Sequence, residues 1–378
     1  MRIAFLLDNL SGGGAEKVIL NLAAGFARLG YQVDLLVCKA EGVLRNYIPA
    51  GVNLIPLQPV SSARGTAAAM LADPAGYREI LGTIVSRKKL PKAFRYIPAI
   101  SRHLKQSSVA LLVSALPKSN INAVLAQRMS GTDTRVVLGA HIHLSAQDSE
   151  CMSRGKSRIR ALRPMMRRYY RQANVVVAVS KGVARDTREY LDLPEDAVST
   201  IYNPVAAKEI VGLSEELPEH AWFENRDVPV VLGIGRFVKQ KNFPLLVRAF
   251  AELRKKRRVR LVLLGGDDSS CEQSRHQAEL KELAAELGVA EDLDLPGYKQ
   301  NPYPYFRRAS VFALSSQFEG FGNVLVEALF CGCPVVSTDC PSGPAEILRD
   351  GEFGRLVSVD DAQGMADALN AMLDEKID

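Results

Sequence analysis

The sequence predicts an α/β chain of two doubly wound domains, and three observations carry that reading. Apolar runs of strand length alternate with amphipathic helical stripes along most of the chain, the order that builds parallel sheets covered on both faces. Two loops rich in Gly or Lys each follow a strand and open a helix, DNLSGGGAEK after Arg2 to Leu7 and GRFVKQKN within and after Pro229 to Phe237. Loops of this kind lie at the carboxyl ends of parallel strands, where ligands bind. The alternation pauses around Tyr202-Asn203-Pro204-Val205, and EIVGLSEELPEHAWFENRD reads as a polar connection. A chain of 378 residues is long enough for two ordinary cores, so the expected domains are 1–203 and 204–378.

Composition narrows the class. Hydrophobic content of 47% against 24% charged is that of a soluble globular protein, and no apolar run approaches the roughly 20 residues that span a bilayer. Asp8 interrupts MRIAFLLDNL and no small-residue cleavage site follows, so this start reads as a first strand rather than an export signal. Six irregularly spaced cysteines in such a chain imply reduced thiols in a cytosolic compartment. Cys331, Cys333 and Cys340 cluster, but small buried cysteines explain them better than a metal site. The net charge of +6 is uneven: residues 1–205 hold 28 Lys and Arg against 14 acids, and residues 206–378 hold 20 against 28. A basic half joined to an acidic half is a statement about partners.

Taken in order, Arg2 to Leu7 is a strand, and the stripe Val18, Ile19, Leu22, Phe26, Leu29 is a helix closed by Gly30. Val33 to Val37 is the second strand. Gly12, Gly13 and Gly14 lack the GxGxxG spacing, and no acidic residue closes the second strand, so a dehydrogenase is poorly supported. The loop is either a close approach to a phosphate or sugar or a plain tight turn. Residues 42–106 are less regular, with basic residues gathered in SRKKLPKAFRYIPAISRHLK. Strands resume at Val109 to Ala115, Arg135 to Ala140 and Asn174 to Ser180. His141 and His143 follow a strand end, where a histidine either meets a ligand or is a satisfied structural group. Residues 153–172 carry eight cations and no acid around the stripe Ile159, Leu162, Met166, Tyr169. That helix packs its stripe on the sheet and turns a solvated basic face outward, or offers that face to anionic lipid. No recognition-helix motif accompanies the charge, so nucleic acid is not expected.

In the second half, Arg236 and Lys241 lie five residues apart in the loop after a strand, where both could reach a diphosphate, with Lys239 as a competitor. RKKRR, Arg254 to Arg258, reads as a solvated helix end. VRLVLLGG, LDLPGY and VFALSS are three further strand-like runs, and Asp361 to Glu375 is a final helix. The stretch from Ser315 to Asp339 organises this half. A Gly-rich turn leads into the helix NVLVEALF, with Glu319 in the turn and Glu327, eight residues on, about one turn inside. Amides of Gly322, Asn323 and Val324 at the helix start suit an anion. The two carboxylates suit hydroxyls, because an ionised Glu accepts two hydrogen bonds from a vicinal diol. Sugars on both sides of a phosphate bridge describe a nucleotide sugar.

EGFGNVLVEALFCGCPVVSTDCPSGPAEIL, with GRFVKQKN, SGGGAEK and the strand end at His141, resembles the family 4 retaining glycosyltransferases of GT-B fold. The resemblance covers nearly the whole chain, and its Glu-x7-Glu spacing is met by Glu319 and Glu327. It implies two Rossmann-like domains facing across a cleft, the acceptor on the basic N-terminal domain and the donor on the C-terminal one. It implies a metal-independent, cofactor-free, retaining transfer of a hexose or N-acetylhexosamine from a UDP-sugar to a glycan or lipid-linked glycan, in cell-envelope polysaccharide assembly such as lipopolysaccharide. By that resemblance Glu319, His141, Arg236 and Lys241 do the catalytic work, and Glu327 holds the donor ribose. Phe321, Gly322, Asn323 and Val324 line the sugar and phosphate site, Gly13 and Gly14 approach it, and the base lies near Tyr298 and Lys299. No metal motif is expected; Asp267-Asp268 reads as a helix cap. Only 51 residues follow Glu327, which leaves little chain for the helices that in the family return to the first domain. A cytoplasmic protein at the inner face of the membrane, touching anionic lipid through 87–105 and 154–171, is the expected setting. The rival readings are a nucleotide-sugar epimerase of the same fold and a non-catalytic sugar-nucleotide-binding subunit.

Overall fold

Runs of β-branched and leucine residues, fully apolar rather than alternating, are what a strand buried on both faces requires. The computed structural model describes residues 1–85, 90–153, 158–205, 207–224, 227–266 and 271–375, and it divides into two units, Met1–Pro204 and Val205–Asp378.

The first unit holds seven parallel strands: β1 (Arg2–Leu7), β2 (Gln32–Val37), β3 (Val52–Pro56), β4 (Leu111–Ala115), β5 (Arg135–Ala140), β6 (Val175–Ala178) and β7 (Val198–Thr200), in the order β3-β2-β1-β4-β5-β6-β7. β3 and β7 stand at the two edges. β3 carries no fully buried residue, and β7 is three residues long. That is why no apolar run announced them, and why 42–106 looked irregular.

The second unit holds six parallel strands: β8 (Val230–Ile234), β9 (Arg260–Leu264), β10 (Leu293–Gly297), β11 (Val311–Leu314), β12 (Val335–Thr338) and β13 (Arg355–Val357), in the order β10-β9-β8-β11-β12-β13. Side chains alternate between its faces. Leu261 and Leu263 pack with Phe250, Leu253 and Leu369 from the helices Phe243–Lys256 and Ala362–Asp374, while Val262 and Leu264 pack with Phe306, Leu325 and Leu348. Phe250, Phe306 and Phe312 are 0% exposed, and each such burial stabilises the unit by about 2–3 kcal/mol.

Each sheet reverses its winding between two central strands, β1 and β4 in the first unit, β8 and β11 in the second. In open parallel sheets the crevice beyond the carboxyl ends of such a pair is the binding position. The loops DNLSGGGAEK and GRFVKQKN, and the Glu319 turn, start from three of these four strands, β1, β8 and β11.

The basic segments are solvated and also paired. The stripe Ile159, Leu162, Met166 and Tyr169 is buried as expected, and on the helix Arg158–Tyr170 the Arg160 and Arg167 side chains are 62% and 53% exposed. Arg160 bonds Asp148, Arg163 bonds the Tyr190 carbonyl, Arg167 bonds Asp192, Arg168 bonds Asp73 at 2.5 and 3.0 Å, and Arg171 bonds the Asp192 carbonyl. Asp73 is 1% exposed, and the Arg168 guanidinium holds its carboxyl below the usual range. RKKRR is likewise solvated and paired: Lys255 and Lys256 are 70% and 47% exposed, while Arg254 pairs with Asp292, Lys256 with Asp367 and Arg257 with Asp374, the last two tying the helix Phe243–Lys256 to the final helix. Asp267-Asp268 and residues 87–89 and 154–157 lie outside the described residues.

Candidate functional site

In the second unit the loop after β8 and the loop after β11 are stitched together across the winding reversal. Ser315 Oγ donates to the Lys241 carbonyl at 2.8 Å, Gln317 N to the Gln240 carbonyl at 2.8 Å, and Gln240 Nε2 to the Phe318 carbonyl at 2.9 Å. The Lys241 stem runs back over Gly235, where a Cβ would stand 3.1 Å from its Cε. Its ammonium donates to Glu319 Oε1 at 2.6 Å. Glu319 is 7% exposed, so the pair is largely desolvated and depends on geometry and added hydrogen bonds. One such bond comes from Ser316 Oγ, 2.6 Å from the same oxygen. Sequence reasoning left Lys239 and Lys241 as competitors. The structure separates them, since Lys239 is exposed and Lys241 is drawn inward to Glu319. An ammonium has three donors, so this bond leaves Lys241 capacity for a further oxygen. Arg236 is exposed at the carboxyl end of β8.

The turn after Glu319 is shaped by backbone needs. Gly322 has φ +97° and starts the helix Asn323–Phe330. Gly343 has φ +99°, and a Cβ there would lie 1.7 Å from the Phe321 carbonyl oxygen, so loops from β11 and β12 touch backbone to backbone. Glu327 is half-buried on that helix. Burial, and after it the charge of the Glu327 carboxylate, pushes the Tyr303 hydroxyl up; the sequence reading did not single out Tyr303. Tyr298 is 42% exposed at the end of β10, and Lys299 next to it pairs with Glu219 at 3.6 Å. Cys340 lies under the site, and burial with the neighbouring Glu319 pushes its thiol up to about 12. Among the described residues no group of three His, Cys, Asp or Glu is arranged to hold a metal ion.

The first unit carries its own constellation at β1 and β4. Lys118, at the start of the helix Pro117–Ser130, bonds both oxygens of Asp8 at 3.0 Å. Neither residue was singled out from sequence as a site, because the pairing spans 110 positions. Gly12 has φ +94°, as a loop of close approach requires. The Glu16 carboxylate folds back over Gly13, so near that a Cβ on Gly13 would lie 2.3 Å from its Oε2. A helix start already facing a carboxylate suits a hydroxyl better than a phosphate. Gly14 is open, with nothing within 4 Å of a Cβ.

His141 sits past β5 with its ring tucked over Gly139, where a Cβ would meet its Nε2 at 2.6 Å. Burial pushes the imidazole down to about 4, so it is neutral at physiological pH and donates or accepts without charge. Beneath it, Asn120 donates to the Gly139 carbonyl at 3.0 Å and to the Tyr170 hydroxyl at 2.8 Å, and accepts from Ser114 Oγ at 2.7 Å. His143 has the structural role: its Nδ1 accepts from Ala146 N at 3.4 Å, and Asp186 accepts from Leu144 N and Ser145 N, so the helix Leu144–Ser153 is capped twice.

Two parallel doubly wound sheets, one bearing a lysine–carboxylate pair beside a glycine-shaped helix start, define a class: nucleotide-binding α/β proteins. The chain belongs to glycosyltransferase family 4. Residues 12–209 match "Glycosyltransferase Family 4" and residues 216–378 match "Glycosyl transferases group 1". It is 34% identical over 206 residues, 54% of this chain and 52% of the relative, to a Campylobacter jejuni N-acetylgalactosamine-N,N'-diacetylbacillosaminyl-diphospho-undecaprenol 4-alpha-N-acetylgalactosaminyltransferase, so the match spans about half of that relative's length. It is 24% identical over 98% of its length, and 88% of the relative's, to the lipopolysaccharide 1,6-galactosyltransferase of Escherichia coli. Among solved structures, Anabaena HepE in complex with UDP and glucose superposes with a TM-score of 0.76 at 18% identity, covering 99% of this chain and 90% of that one. The fold is therefore the GT-B fold of two Rossmann-like units.

Proposed function

We propose that the protein transfers a hexose or N-acetylhexosamine from a UDP-sugar to a glycan or lipid-linked glycan acceptor in cell-envelope polysaccharide biosynthesis, with retention at the anomeric carbon and without a metal. The observation that carries this reading is the Lys241–Glu319 pair, 2.6 Å apart at the winding reversal of the second unit. Arg236 and the remaining donors of Lys241 hold the diphosphate and neutralise charge as the nucleotide leaves, the task a metal performs elsewhere. Amides from Phe321 to Val324 and the helix start add a favourable dipole. Glu327 accepts the ribose hydroxyls, Tyr298 and Lys299 flank the base, and Glu319 meets a hydroxyl of the transferred sugar. In the first unit the neutral His141 offers a hydrogen bond to a sugar hydroxyl, and Gly13 and Gly14 give close backbone approach.

The test is turnover of UDP-glucose, UDP-galactose, UDP-N-acetylglucosamine and UDP-N-acetylgalactosamine with a cell-envelope lipid extract, in buffer with EDTA. An α-linked product at undiminished rate is the expected result. Conversion of donor with no acceptor added means an epimerase instead, and no turnover of any donor means a binding subunit.

The setting proposed is the cytoplasmic face of the membrane. Among the described residues no helix is long and apolar enough to cross it, so contact is peripheral. Arg160, Arg163, Arg167, Arg168 and Arg171 each pair with a carboxylate or carbonyl; Lys92, Arg102 and Lys105 are exposed, as are Leu71 at 76%, Tyr77 at 47% and Leu81 at 40%. Exposed cations and exposed apolar side chains favour an anionic lipid surface, so the reading puts the contact on 87–105 ahead of 154–171. Co-sedimentation with phosphatidylglycerol vesicles falls after Arg102→Glu with Lys105→Glu and not after Arg167→Gln; the reverse pattern returns the contact to 154–171.

A further inference from the structure

We propose that Ser316 is a positioning residue for Glu319, setting which carboxylate oxygen faces the donor sugar. The inference rests on the reading above that Glu319 meets that sugar.

Ser316 is 0% exposed, so its hydroxyl has no solvent to satisfy it. It donates to Glu319 Oε1 at 2.6 Å, and Lys241 Nζ donates to the same oxygen at 2.6 Å. Both short bonds fall on Oε1, so the carboxylate is clamped by one oxygen and Oε2 is turned away from both donors. The two donors are not equivalent. Lysine ends a flexible four-carbon stem and can follow the carboxylate as it turns, and the last torsion of a glutamate is broad. A serine hydroxyl on a single carbon cannot follow. Its backbone is held in turn: Thr338 Oγ1, at the end of β12 and 0% exposed, donates to the Ser316 carbonyl at 2.7 Å. Glu319 N is also held, donating to the Pro341 carbonyl at 3.1 Å. Lysine therefore supplies the charge and serine the orientation, with Thr338 steadying the serine from the next strand. Ser316 touches neither substrate nor reacting atoms in this account and acts only through Glu319.

The test compares binding of UDP with binding of UDP-glucose, UDP-galactose, UDP-N-acetylglucosamine and UDP-N-acetylgalactosamine by calorimetry, together with kcat, for wild type, Ser316→Ala, Ser316→Cys and Glu319→Ala. Ser316→Ala is expected to bind UDP within about twofold of wild type, to lose most of the added affinity given by the sugar, and to lose about tenfold in kcat, on the scale of one charge-assisted hydrogen bond. Ser316→Cys, close in volume with a weaker donor, falls between, and it carries the test if the alanine variant does not fold. Wild-type kcat and sugar increment in the serine variants overturn the proposal. So does an equal loss of UDP affinity and thermal stability, which marks a merely structural hydroxyl. If Glu319→Ala itself keeps the sugar increment, the underlying reading of Glu319 fails; if Glu319→Ala loses it and Ser316→Ala does not, only the positioning role fails.

Discussion

Both units put a lysine on a carboxylate where their sheets reverse, yet the two pairs are built to different depths. Lys118 and Asp8 in the first unit are 39% and 29% exposed, whereas Lys241 and Glu319 in the second are 14% and 9% exposed. The second pair is also braced by Ser316 and by three hydrogen bonds between its two loops. A solvated pair contributes at most about 1 kcal/mol and can exchange partners. A buried pair is costly to break, because the survivor stays buried without compensation. The contrast means that one strand order carries a buried, braced pair in the second unit, where the proposed diphosphate site lies, and a solvated pair in the first.

The largest test of that contrast removes each lysine. Lys241→Ala is expected to cost about 3 kcal/mol in urea unfolding and to lower kcat by about 100-fold or more, while Lys118→Ala costs under about 1 kcal/mol. Equal costs would abolish the distinction. Glycines come next. Gly343→Ala forces a Cβ to 1.7 Å from a carbonyl oxygen at φ +99°, and a loss of about 2–3 kcal/mol with a damaged site is expected. Gly14→Ala meets nothing within 4 Å and is expected to leave stability unchanged or raise it by a few tenths of a kcal/mol. Thermal unfolding of both variants decides.

His141 sharpens the comparison through pH. Its folded value of about 4 lies below the 6.5 of a free imidazole, so between these values the unfolded chain binds the extra proton and stability falls as pH falls. The loss is expected to reach roughly 2 kcal/mol at pH 5 and to disappear in His141→Asn, measured as urea unfolding of both proteins at pH 7 and pH 5. Glu327→Ala is expected to weaken UDP binding by about tenfold by calorimetry. Lys118→Ala leaves UDP binding unchanged if the donor nucleotide belongs to the second unit alone.

Much of this was legible in the chain. The buried central strands declared themselves because a strand covered on both faces is largely apolar, and β5 runs from Arg135 to Ala140 as expected. Edge strands β3 and β7 did not, because half-exposed or three-residue strands need no such run. The Glu319 and Glu327 spacing and the glycine turn were equally plain, since a helix start and its loop are local features. Charge was legible only in part. Eight cations in 153–172 read as a surface, and Arg160 and Arg167 are 62% and 53% exposed, but the partners Asp73, Asp148 and Asp192 are scattered along the chain.

The sequence by itself determined that two doubly wound units would form, where the loops at their winding reversals would open, and which carboxylates and cations those loops would carry, because strand burial, helix periodicity and turn chemistry act between near neighbours. Only the tertiary structure decided which lysine meets Glu319, that Ser316 and Thr338 stand behind it, that Asp8 answers Lys118, and that Gly139 lets the ring of His141 turn inward and lose its charge. The Thr338–Ser316, Lys241–Glu319 and Lys118–Asp8 contacts join strand ends 22 to 110 positions apart, and a side chain selects among such partners only after the sheet has brought them within reach.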